Sequence, residues 1–466
     1  MTPVGTQSIS LGTPAVRHRR VPTRQGQGYF IRTFGCQMNE HDSERIAGLL
    51  EADGMVPVDR PERADVVVLN TCTIRENADE RLRGYLGALR SLKSDRAGMQ
   101  IAVGGCMAQK DGDTIRARAD WVDVVFGTHN THRVVDLLDH AAEWGPVTEI
   151  LDETRSVDDL PSMLPAHRRS PHTAWVTITI GCNNSCTFCI VPAVRGREIS
   201  RRPGDILGEV RQLAEAGVTE VTLLGQNVNS YGRDLEINGR RPLFADLLRQ
   251  VGSVDGIHRV RYTSPHPKDF RQDVADAMAE TPAVCEHLHL PLQSGSDRVL
   301  AAMHRGYSGA RVLDKLAMAH RTIPDLTVTT DIIVGFPGET EADFTATLDV
   351  VGAARFDSAF TFQFSPRPGT PAATMGDQIP KQVIQERFDR LVALQAEISL
   401  ERNRRLLGRR LEVMVEGPSR KDPTVATTRT RGGLPLHVET RPGPGAYLEV
   451  EVTRAAPHHL HGSLRP

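Results

Sequence analysis

Short apolar runs alternate with longer amphipathic stretches along the first third of the chain. Four runs rich in β-branched residues have the length of strands, and two stretches between them have the spacing and length of helices. The predicted strands cover residues 29–33, 65–69, 100–103 and 121–126, and the predicted helices cover residues 42–52 and 76–92. Strands that alternate with helices predict a parallel, doubly wound α/β sheet.

The middle of the chain repeats this alternation with six further strands. They are predicted over residues 175–180, 218–224, 259–263, 287–290, 327–334 and 357–364. One helix opens at Thr340 with Asp343 three residues later, which is the spacing of a capping box. Six βα units make an incomplete version of the eightfold α/β barrel, in which the reactive groups gather at the carboxyl ends of the strands.

The last part of the chain changes to a long helix followed by short strands with Gly and Pro between them. The helix is predicted over residues 381–405 and the strands over 410–416, 424–430, 436–440 and 447–453, which together predict a small, OB-like β-barrel. The predicted domains are a basic, disordered tail (1–27), the doubly wound domain (28–146), a proline-containing linker (147–170), the partial barrel (171–398) and the small β-barrel (399–466).

Length and composition indicate a multidomain protein without membrane spans. At 466 residues the chain is too long for a single core. No apolar run approaches the ~18 residues that a membrane span requires, so no membrane partner is expected. Seven cysteines without a secretory signal favour a reducing compartment, and we expect a cytoplasmic protein.

The charge is nearly balanced overall but uneven along the chain. A net charge of −2, from 56 basic and 58 acidic residues, argues against a surface coated in positive charge. Residues 401–466 carry 12 Lys and Arg against 7 Asp and Glu, a balance of +5 that leaves the rest of the chain at −7. If a polyanion binds, its electrostatic footprint lies at the C-terminal end.

Three cysteines follow the first predicted strand of the partial barrel. This central cysteine set, Cys182, Cys186 and Cys189, has the spacing C-x3-C-x2-C. Three thiolates can hold a 4Fe-4S cluster, which four cysteines normally close, and leave one iron open for another ligand. The alternative is a zinc site completed by a histidine such as His172, although zinc sites favour C-x2-C pairs.

Three other cysteines lie far apart in the sequence but at equivalent places in the predicted fold. This N-terminal cysteine set, Cys36, Cys72 and Cys106, follows three predicted parallel strands at or just beyond their ends. The carboxyl ends of such strands share one edge of the sheet, where ligands bind. Convergence predicts a second metal site, and the alternative is three ordinary buried cysteines.

Both cysteine sets belong to longer motifs that carry a family resemblance. The first motif reads TFGCQMNEHDSE from Thr33 to Glu44, and the second reads GCNNSCTFCIVPAVRGREISR from Gly181 to Arg201. With these motifs the chain resembles the radical S-adenosylmethionine (SAM) methylthiotransferases from about residue 28 to residue 454. Its last domain resembles their RNA-binding TRAM module, with residues 428–437 only approximating the usual motif.

The resemblance implies an activity and its cofactors. Each cysteine set would hold one 4Fe-4S cluster, the central one binding and cleaving SAM to a 5′-deoxyadenosyl radical and the N-terminal one delivering a methylated sulfur. Two SAM molecules would be used per product, an electron donor such as a flavodoxin or ferredoxin would reduce the enzyme, and no catalytic residue beyond the cluster ligands is assigned. The GCQMN form of the first motif resembles the branch that modifies carbon 2 of isopentenylated adenosine at tRNA position 37, next to the anticodon. A monomer is expected.

The resemblance also implies residues that line the SAM and RNA sites. The positions similar to SAM-lining residues of the family are Phe188, Gln226, Asn227, Gln293, Ser294 and Gly335. For the glycine, a tight strand-to-helix turn is an equal explanation. The basic residues expected to meet the tRNA backbone are Arg195, Arg197, Arg404, Arg405, Arg429 and Arg431. A solvated charged loop is the alternative for Arg195 and Arg197, and a SAM carboxylate is another partner for this loop.

Three other functions remain open at this point. The same chemistry can act on threonylcarbamoyl-adenosine in tRNA, or on an aspartate of a ribosomal protein. A noncatalytic, metal-stabilised RNA-binding protein belongs to a different class, and it leaves the N-terminal cysteine set and the six βα units poorly explained.

Overall fold

A computed structural model describes residues 23–73, 78–96, 98–151, 166–237, 239–440 and 442–464. Most of the predicted tail and residues 152–165 of the predicted linker lie outside these ranges. The chain forms two compact units. The first contains residues 1–169, 180–183 and 190–199, and the second contains residues 170–179, 184–189 and 200–466.

The strands and helices are as follows in chain order. The strands are β1 Gly28–Thr33, β2 Val56–Pro57, β3 Val66–Thr71, β4 Gln100–Gly105, β5 Val124–Phe126, β6 Val147–Glu149, β7 Thr173–Thr177, β8 Thr179–Ile180, β9 Ile199–Ser200, β10 Glu220–Leu224, β11 Arg259–Tyr262, β12 His287–His289, β13 Thr327–Val334, β14 Ser358–Gln363, β15 Arg410–Pro418, β16 Val425–Thr430, β17 Pro435–Glu439, β18 Tyr447–Ala455 and β19 Leu460–Ser463. The α-helices are α1 Gln37–Ala52, α2 Ala78–Asp95, α3 Cys106–Arg118, α4 Val134–Trp144, α5 Val191–Arg195, α6 Pro203–Glu215, α7 Phe244–Gly252, α8 Gln272–Glu280, α9 Asp297–Ala302, α10 Gly309–Thr322, α11 Glu341–Ala354 and α12 Lys381–Arg404.

The first unit is built on a six-stranded parallel sheet with the order β2-β1-β3-β4-β5-β6. Its central strands β3 and β4 are buried along their whole length, as expected where helices cover both faces. The order reverses between β1 and β3, so this pair flanks the position where ligands bind in open α/β sheets. The predicted doubly wound fold is confirmed.

The first unit also differs from the sequence prediction, most clearly at its edge strands, at α1 and near its start. The edge strands β2 and β6 have two and three residues, too few for a recognisable apolar pattern. Helix α1 begins at Gln37 rather than at residue 42, because the polar motif after Cys36 is itself helical and largely buried. Residues 23–27, which the prediction places in a disordered tail, are described here, and the Arg24 guanidinium donates to Gln100 and Asp139 at 2.8 Å.

The second unit contains the six βα units and the C-terminal barrel. Strands β7, β10 and β11 form one parallel sheet in the order β11-β10-β7, and β12, β13 and β14 form another. Val260 of β11 pairs in parallel with Val284, three residues before β12, which continues one sheet into the other. The predicted partial barrel is confirmed, and the capping box of Thr340 and Asp343 is present at the start of α11.

The C-terminal domain is a closed five-stranded barrel with the strand order β15-β16-β17-β19-β18. Its core is apolar and includes Val413, Leu436, Val450 and Leu460. The sequence prediction has four of these strands and misses β19, which pairs in parallel with β17 and antiparallel with β18. A four-residue strand with a histidine and a glycine gives little strand signal, yet it is the strand that closes the barrel.

A buried arginine joins this barrel to the partial barrel within the second unit. The side chain of Arg259 is 0% exposed and donates to Glu412 Oε1 at 2.8 Å and to the Arg429 carbonyl at 2.9 Å. Its guanidinium also lies over the ring of Tyr447, 5.0 Å from the centroid. No helix among the described residues is long and apolar enough to cross a membrane.

We expect Arg259→Ala to lower the thermal unfolding midpoint of the protein. The substitution leaves Glu220, which is 8% exposed and 3.8 Å from Arg259, with less compensation for its charge, and breaking a buried pair of this kind costs about 3 kcal/mol. Circular dichroism at 222 nm measures the midpoint. The control is Arg249→Ala, whose half-exposed pair with Glu280 contributes little. Equal midpoints for the two variants would contradict the role given to Arg259.

Candidate metal centres and cofactor site

The N-terminal cysteine set lies at the carboxyl ends of three neighbouring strands. Cys36 follows β1, Cys72 follows β3 directly, and Cys106 follows β4, and these strands are adjacent in the sheet in that order. Cys72 and Cys106 are buried, and Cys36 is partly exposed. The sequence predicts this placement, and the structure confirms it.

Two glycines let the three chain segments that carry these cysteines approach one another closely. At Gly35, with φ of +150°, a Cβ would lie 2.7 Å from the Cβ of Cys72. At Gly105, with φ of +94°, a Cβ would lie 2.4 Å from both the Asn70 side chain and the Thr71 carbonyl. Each glycine directly precedes a cysteine of the set, so a side chain at either position would push Cys36 or Cys106 away from the segment that carries Cys72.

A hydrogen-bond network fixes the backbone around these cysteines. The Asn39 amide is fully buried and donates to Asn70 Oδ1 at 3.2 Å and to the Thr71 carbonyl at 2.9 Å. The Asn70 amide donates back to the Asn39 carbonyl and to Ser43 Oγ. Asn39 and Ser43 belong to the polar motif after Cys36, so this part of the motif holds two cysteine segments together.

The electrostatics of the set favour a thiolate at Cys36. A hydrogen bond from Cys72 is the main factor that lowers the pKa of Cys36 to about 5, and the charge of Arg195 and backbone N–H groups of α1 add to it. In its thiol form Cys36 donates to Asn39 Oδ1 at 3.4 Å. Cys36 occupies the N-cap position of α1 and Cys106 is the first residue of α3, positions that stabilise negative charge. At Cys106, burial raises the pKa against the attraction of Arg195.

Arg195 lies beside this cysteine set rather than in solvent. Its side chain is 6% exposed, and Nη2 donates to Asp42 Oδ2 at 2.6 Å. Its positive charge also attracts the thiols of Cys106 and Cys36. This burial contradicts the prediction that Arg195 meets the tRNA backbone, and the alternative of a solvated loop is equally wrong for this residue.

Backbone hydrogen bonds within each unit hold the segments that carry the central cysteine set. In the first unit the Cys182 N–H donates to the Gly196 carbonyl at 3.2 Å. In the second unit the Cys189 N–H donates to the Cys186 carbonyl at 3.0 Å. Thr187 anchors this loop, since its hydroxyl donates to the Ala302 carbonyl at 2.9 Å and its N–H to the Met303 carbonyl at 3.2 Å.

A second buried arginine lies beside Cys186. Arg305 is 7% exposed, and its Nη1 donates to Cys186 Sγ at 3.2 Å while its Nε donates to Tyr307 Oη at 2.8 Å. Sequence reasoning missed Arg305, because it lies 116 residues beyond Cys189 and no local motif connects the two. Each cysteine set thus has one buried guanidinium whose charge acts on its thiols.

Several amides predicted to line the SAM site are buried with unpaired polar atoms. Within the described residues, both polar atoms of the Gln226 side chain lack a hydrogen-bond partner, as do Asn227 Oδ1 and Gln293 Oε1. Gln293 also has a φ of +67°, which for a residue with a Cβ is a strained conformation typical of functional sites. A ligand with amino and carboxylate groups would satisfy these amides, so the residues present fit SAM.

The other predicted SAM-lining residues have structural partners of their own. Ser294 Oγ lies 3.2 Å from Thr347 Oγ1 and also accepts from the Ser296 N–H. At Gly335, with φ of +80°, a Cβ would lie 2.5 Å from Ile384, so packing explains the glycine. Phe188 packs against an apolar cluster that includes Phe336. A role for these three in binding SAM stays a prediction.

Two exposed phenylalanines lie on one face of β14. Phe360 is 58% exposed and Phe362 is 49% exposed, and their register partners on β13 are Asp331 and Ile333. The ring of His289 meets that of Phe360 edge to face at 6.0 Å. Sequence reasoning passed over these rings as strand residues, although aromatics at every second position of a strand share a face and can signal a binding surface.

The remaining predicted RNA-binding arginines divide into two groups. Arg197, Arg404 and Arg405 are exposed, with Arg405 paired to Glu401 at 3.2 Å. Arg429 pairs with Glu416, and Arg431 pairs with Glu286 and donates to the carbonyls of residues 282 and 284. The last two are held by groups of the protein, so the exposed arginines are the better candidates for phosphate contacts.

Comparison with known proteins finds matches to two protein families and to many relatives of high sequence identity. Residues 28–127 match the uncharacterized protein family UPF0004, and residues 176–351 match the radical SAM superfamily. The tRNA-2-methylthio-N(6)-dimethylallyladenosine synthase of Frankia alni is 57% identical over 442 residues, which cover 93% of this chain and 88% of the relative. The synthase 1 of Mycobacterium marinum is 55% identical over 466 residues, which cover 96% and 88%.

Solved structures share the fold at low sequence identity. A radical SAM methyltransferase, TsrM from Kitasatospora setae, solved with cobalamin and a [4Fe-4S] cluster, superposes with a TM-score of 0.55 at 14% identity and covers 75% of this chain and 74% of that one. This likeness concerns the fold alone. On the identity to its relatives over nearly the full length, the chain belongs to the tRNA-2-methylthio-N(6)-dimethylallyladenosine synthase family.

Proposed function

We propose that this protein methylthiolates carbon 2 of isopentenylated adenosine at tRNA position 37, next to the anticodon. The names of its relatives support the substrate, since each is called a synthase of 2-methylthio-dimethylallyladenosine in tRNA. The observation that carries the proposal is the N-terminal cysteine set, which the sheet assembles in addition to the central set. A second set of three thiols can hold a second cluster with an open iron, which is where a sulfur atom would be held before its transfer.

The residues present fit two 4Fe-4S clusters and SAM. Cys36, Cys72 and Cys106 would hold one cluster, and the central cysteine set would hold the other. When bound, the clusters and SAM supply the radical that opens an unreactive C–H bond and the sulfur that replaces its hydrogen, with two SAM molecules used per product. The protein supplies orientation and excludes water.

The residues of the chain have separate tasks in this proposal. A hydrogen bond from Cys72 and the charge of Arg195 lower the pKa of Cys36, which favours the thiolate form that a cluster binds. The amide of Gln226 and the Oε1 atom of Gln293 bind the polar groups of SAM, because these atoms are buried and otherwise unsatisfied. Arg305 donates to Cys186 and so stabilises a thiolate ligand.

The RNA partner is proposed to meet exposed basic and aromatic side chains. Arg404 and Arg197 can neutralise phosphates without reading sequence. The target adenine has to leave the base stack of the anticodon loop, and exposed aromatic rings stabilise an unstacked base by about 1 to 3 kcal/mol. An electron donor such as a flavodoxin or ferredoxin, a monomeric state and a cytoplasmic location are further parts of the proposal.

We expect Phe360→Ala, alone or with Phe362→Ala, to raise the KM for isopentenylated tRNA while SAM cleavage without tRNA stays at the parent rate. The rings are exposed, so their loss changes binding of a planar, apolar-substituted base more than it changes folding. Steady-state assays with tRNA substrate and 5′-deoxyadenosine assays without it separate the two effects. Val392→Ala, another exposed apolar residue of the second unit, is the control. An unchanged KM in the double variant would exclude these rings from the substrate site.

Analysis of tRNA nucleosides tests the proposed function. Mass spectrometry of a strain lacking this gene should show isopentenyladenosine without its 2-methylthio form, and the expressed chain should restore the modified nucleoside. Loss of the methylthio form of threonylcarbamoyl-adenosine instead would assign the alternative tRNA substrate. Unchanged methylthio nucleosides of both kinds would end the tRNA assignment and point to the ribosomal-protein substrate.

A further inference from the structure

A buried ion pair lies beside the N-terminal cysteine set, which is unusual for a protein interior. The two side chains, Arg195 and Asp42, are 6% and 8% exposed and meet at 2.6 Å. Burying two charges is costly, and such a pair is often no more stabilising than apolar residues of the same volume. A pair of this kind beside three thiols therefore calls for a reason other than stability.

The position of Arg195 is tightly determined within the first unit. It ends the short helix α5, where Val194 packs with Ile190 against Cys106. The Val194 carbonyl accepts a hydrogen bond of 2.6 Å from Thr128 Oγ1, which fixes the helix against the end of the sheet. These contacts fix the backbone at Arg195, and the pair with Asp42 holds its guanidinium in the interior.

The charge of Arg195 acts on two thiols at once. It attracts both Cys106 and Cys36, while the negative charge of Asp42 opposes its effect on Cys106. Three thiolates carry one more negative charge than an oxidised 4Fe-4S core carries positive charges. The cluster with its ligands is therefore an anion, and reduction adds a further negative charge. Cluster potentials depend on net charge, on hydrogen bonds to sulfur and on exposure, and this arginine changes the first of these directly.

We propose that Arg195 is a charge-compensating residue that sets the reduction potential of the cluster held by Cys36, Cys72 and Cys106, and that Asp42 positions it and limits its effect. The inference rests on the proposed function, because it requires a cluster at this site. Arg195 belongs to the motif of the central cysteine set, since it lies six positions after Cys189. The proposal nevertheless gives it a role at the N-terminal cysteine set.

A redox titration of the full-length chain tests this assignment. The chain carries Cys182→Ala, Cys186→Ala and Cys189→Ala, so that only the N-terminal cysteine set can hold a cluster. After anaerobic reconstitution, iron and sulfide are counted, and the midpoint potential is measured by electron paramagnetic resonance. Arg195→Gln, Arg195→Lys and Asp42→Asn are compared in this background.

The two neutralising variants should move the midpoint in opposite directions. Arg195→Gln removes a positive charge and makes reduction harder, so its potential becomes more negative. Asp42→Asn removes the opposing negative charge and makes the potential less negative, and Arg195→Lys keeps the charge and shifts it less than Arg195→Gln. The control is Glu149→Gln, which alters a buried arginine pair elsewhere in the same unit and should leave the potential unchanged.

Other outcomes overturn the inference or the proposed function separately. Unchanged potentials, or a shift in the same direction for Arg195→Gln and Asp42→Asn, would show a structural pair and overturn the inference alone. If Arg195→Gln retains no cluster, the midpoint potentials of Asp42→Asn and Arg195→Lys decide. The inference then requires a less negative potential for Asp42→Asn and none of that shift for Arg195→Lys. A background chain that binds no iron and sulfide at all overturns the proposed function, and this inference with it.

Discussion

Replacement of Cys186 by alanine abolishes SAM cleavage. Three thiolates hold the cluster and leave one iron open, so the loss of one ligand removes the site at which SAM binds. Cys186 is buried and accepts a hydrogen bond from Arg305, so no other described thiol can take its place without moving the loop. We expect 5′-deoxyadenosine to fall to the level of a reaction without enzyme.

The measurement is chromatography of 5′-deoxyadenosine after reduction with dithionite. Cys285→Ala is the matched control, since Cys285 is a buried thiol of the same unit that belongs to neither cysteine set. It should cleave SAM at the parent rate. Normal cleavage by Cys186→Ala would show that the central cysteine set does not hold the SAM-binding cluster.

Replacement of Cys72 by alanine has the second largest expected effect, and it is of a different kind. The variant should continue to cleave SAM while it forms no methylthio product. Cys72 is 0% exposed at the end of β3, where it donates to the Cys36 thiolate, so its loss removes both a ligand and the hydrogen bond that prepares another. The iron content should fall by about half, because one of two clusters is lost.

The test combines iron counting, SAM cleavage and mass spectrometry of the tRNA nucleosides. Cys36→Ala and Cys106→Ala provide internal comparisons, because all three thiols should behave alike if they share one cluster. A Cys72→Ala variant that still forms the methylthio nucleoside would remove the N-terminal set from the reaction. Three variants with three different phenotypes would show that these thiols do not act together.

Much of the fold follows from local patterns that the sequence displays openly. The predicted strands that carry the three N-terminal cysteines all appear, and the partial barrel has its six strands. The strands that the sequence does not predict are short. Strands β2, β6 and β19 have two to four residues, too few to show a periodicity. Such strands form because a neighbouring strand edge is available to them.

The arginines show where sequence reasoning fails at the site. A row of basic residues after the central cysteine set has the composition of a phosphate-binding loop, and nothing local distinguishes Arg195 from Arg197. Burial separates them, since Arg195 pairs with Asp42, 153 positions earlier in the chain, while Arg197 remains exposed. Arg431 differs from Arg404 for the same reason, because it is held by Glu286.

The sequence by itself determined the chemistry of this protein, because cysteine spacing and the residues around it are local properties that a linear chain carries in full. It also determined that three distant cysteines end parallel strands, since strand ends can be recognised one at a time. Only the tertiary structure decided which charged side chains serve those thiols. Charge compensation acts through space over a few ångströms in a medium of low dielectric constant, and the partners that provide it, such as Arg195 and Arg305, come from segments that only folding brings together.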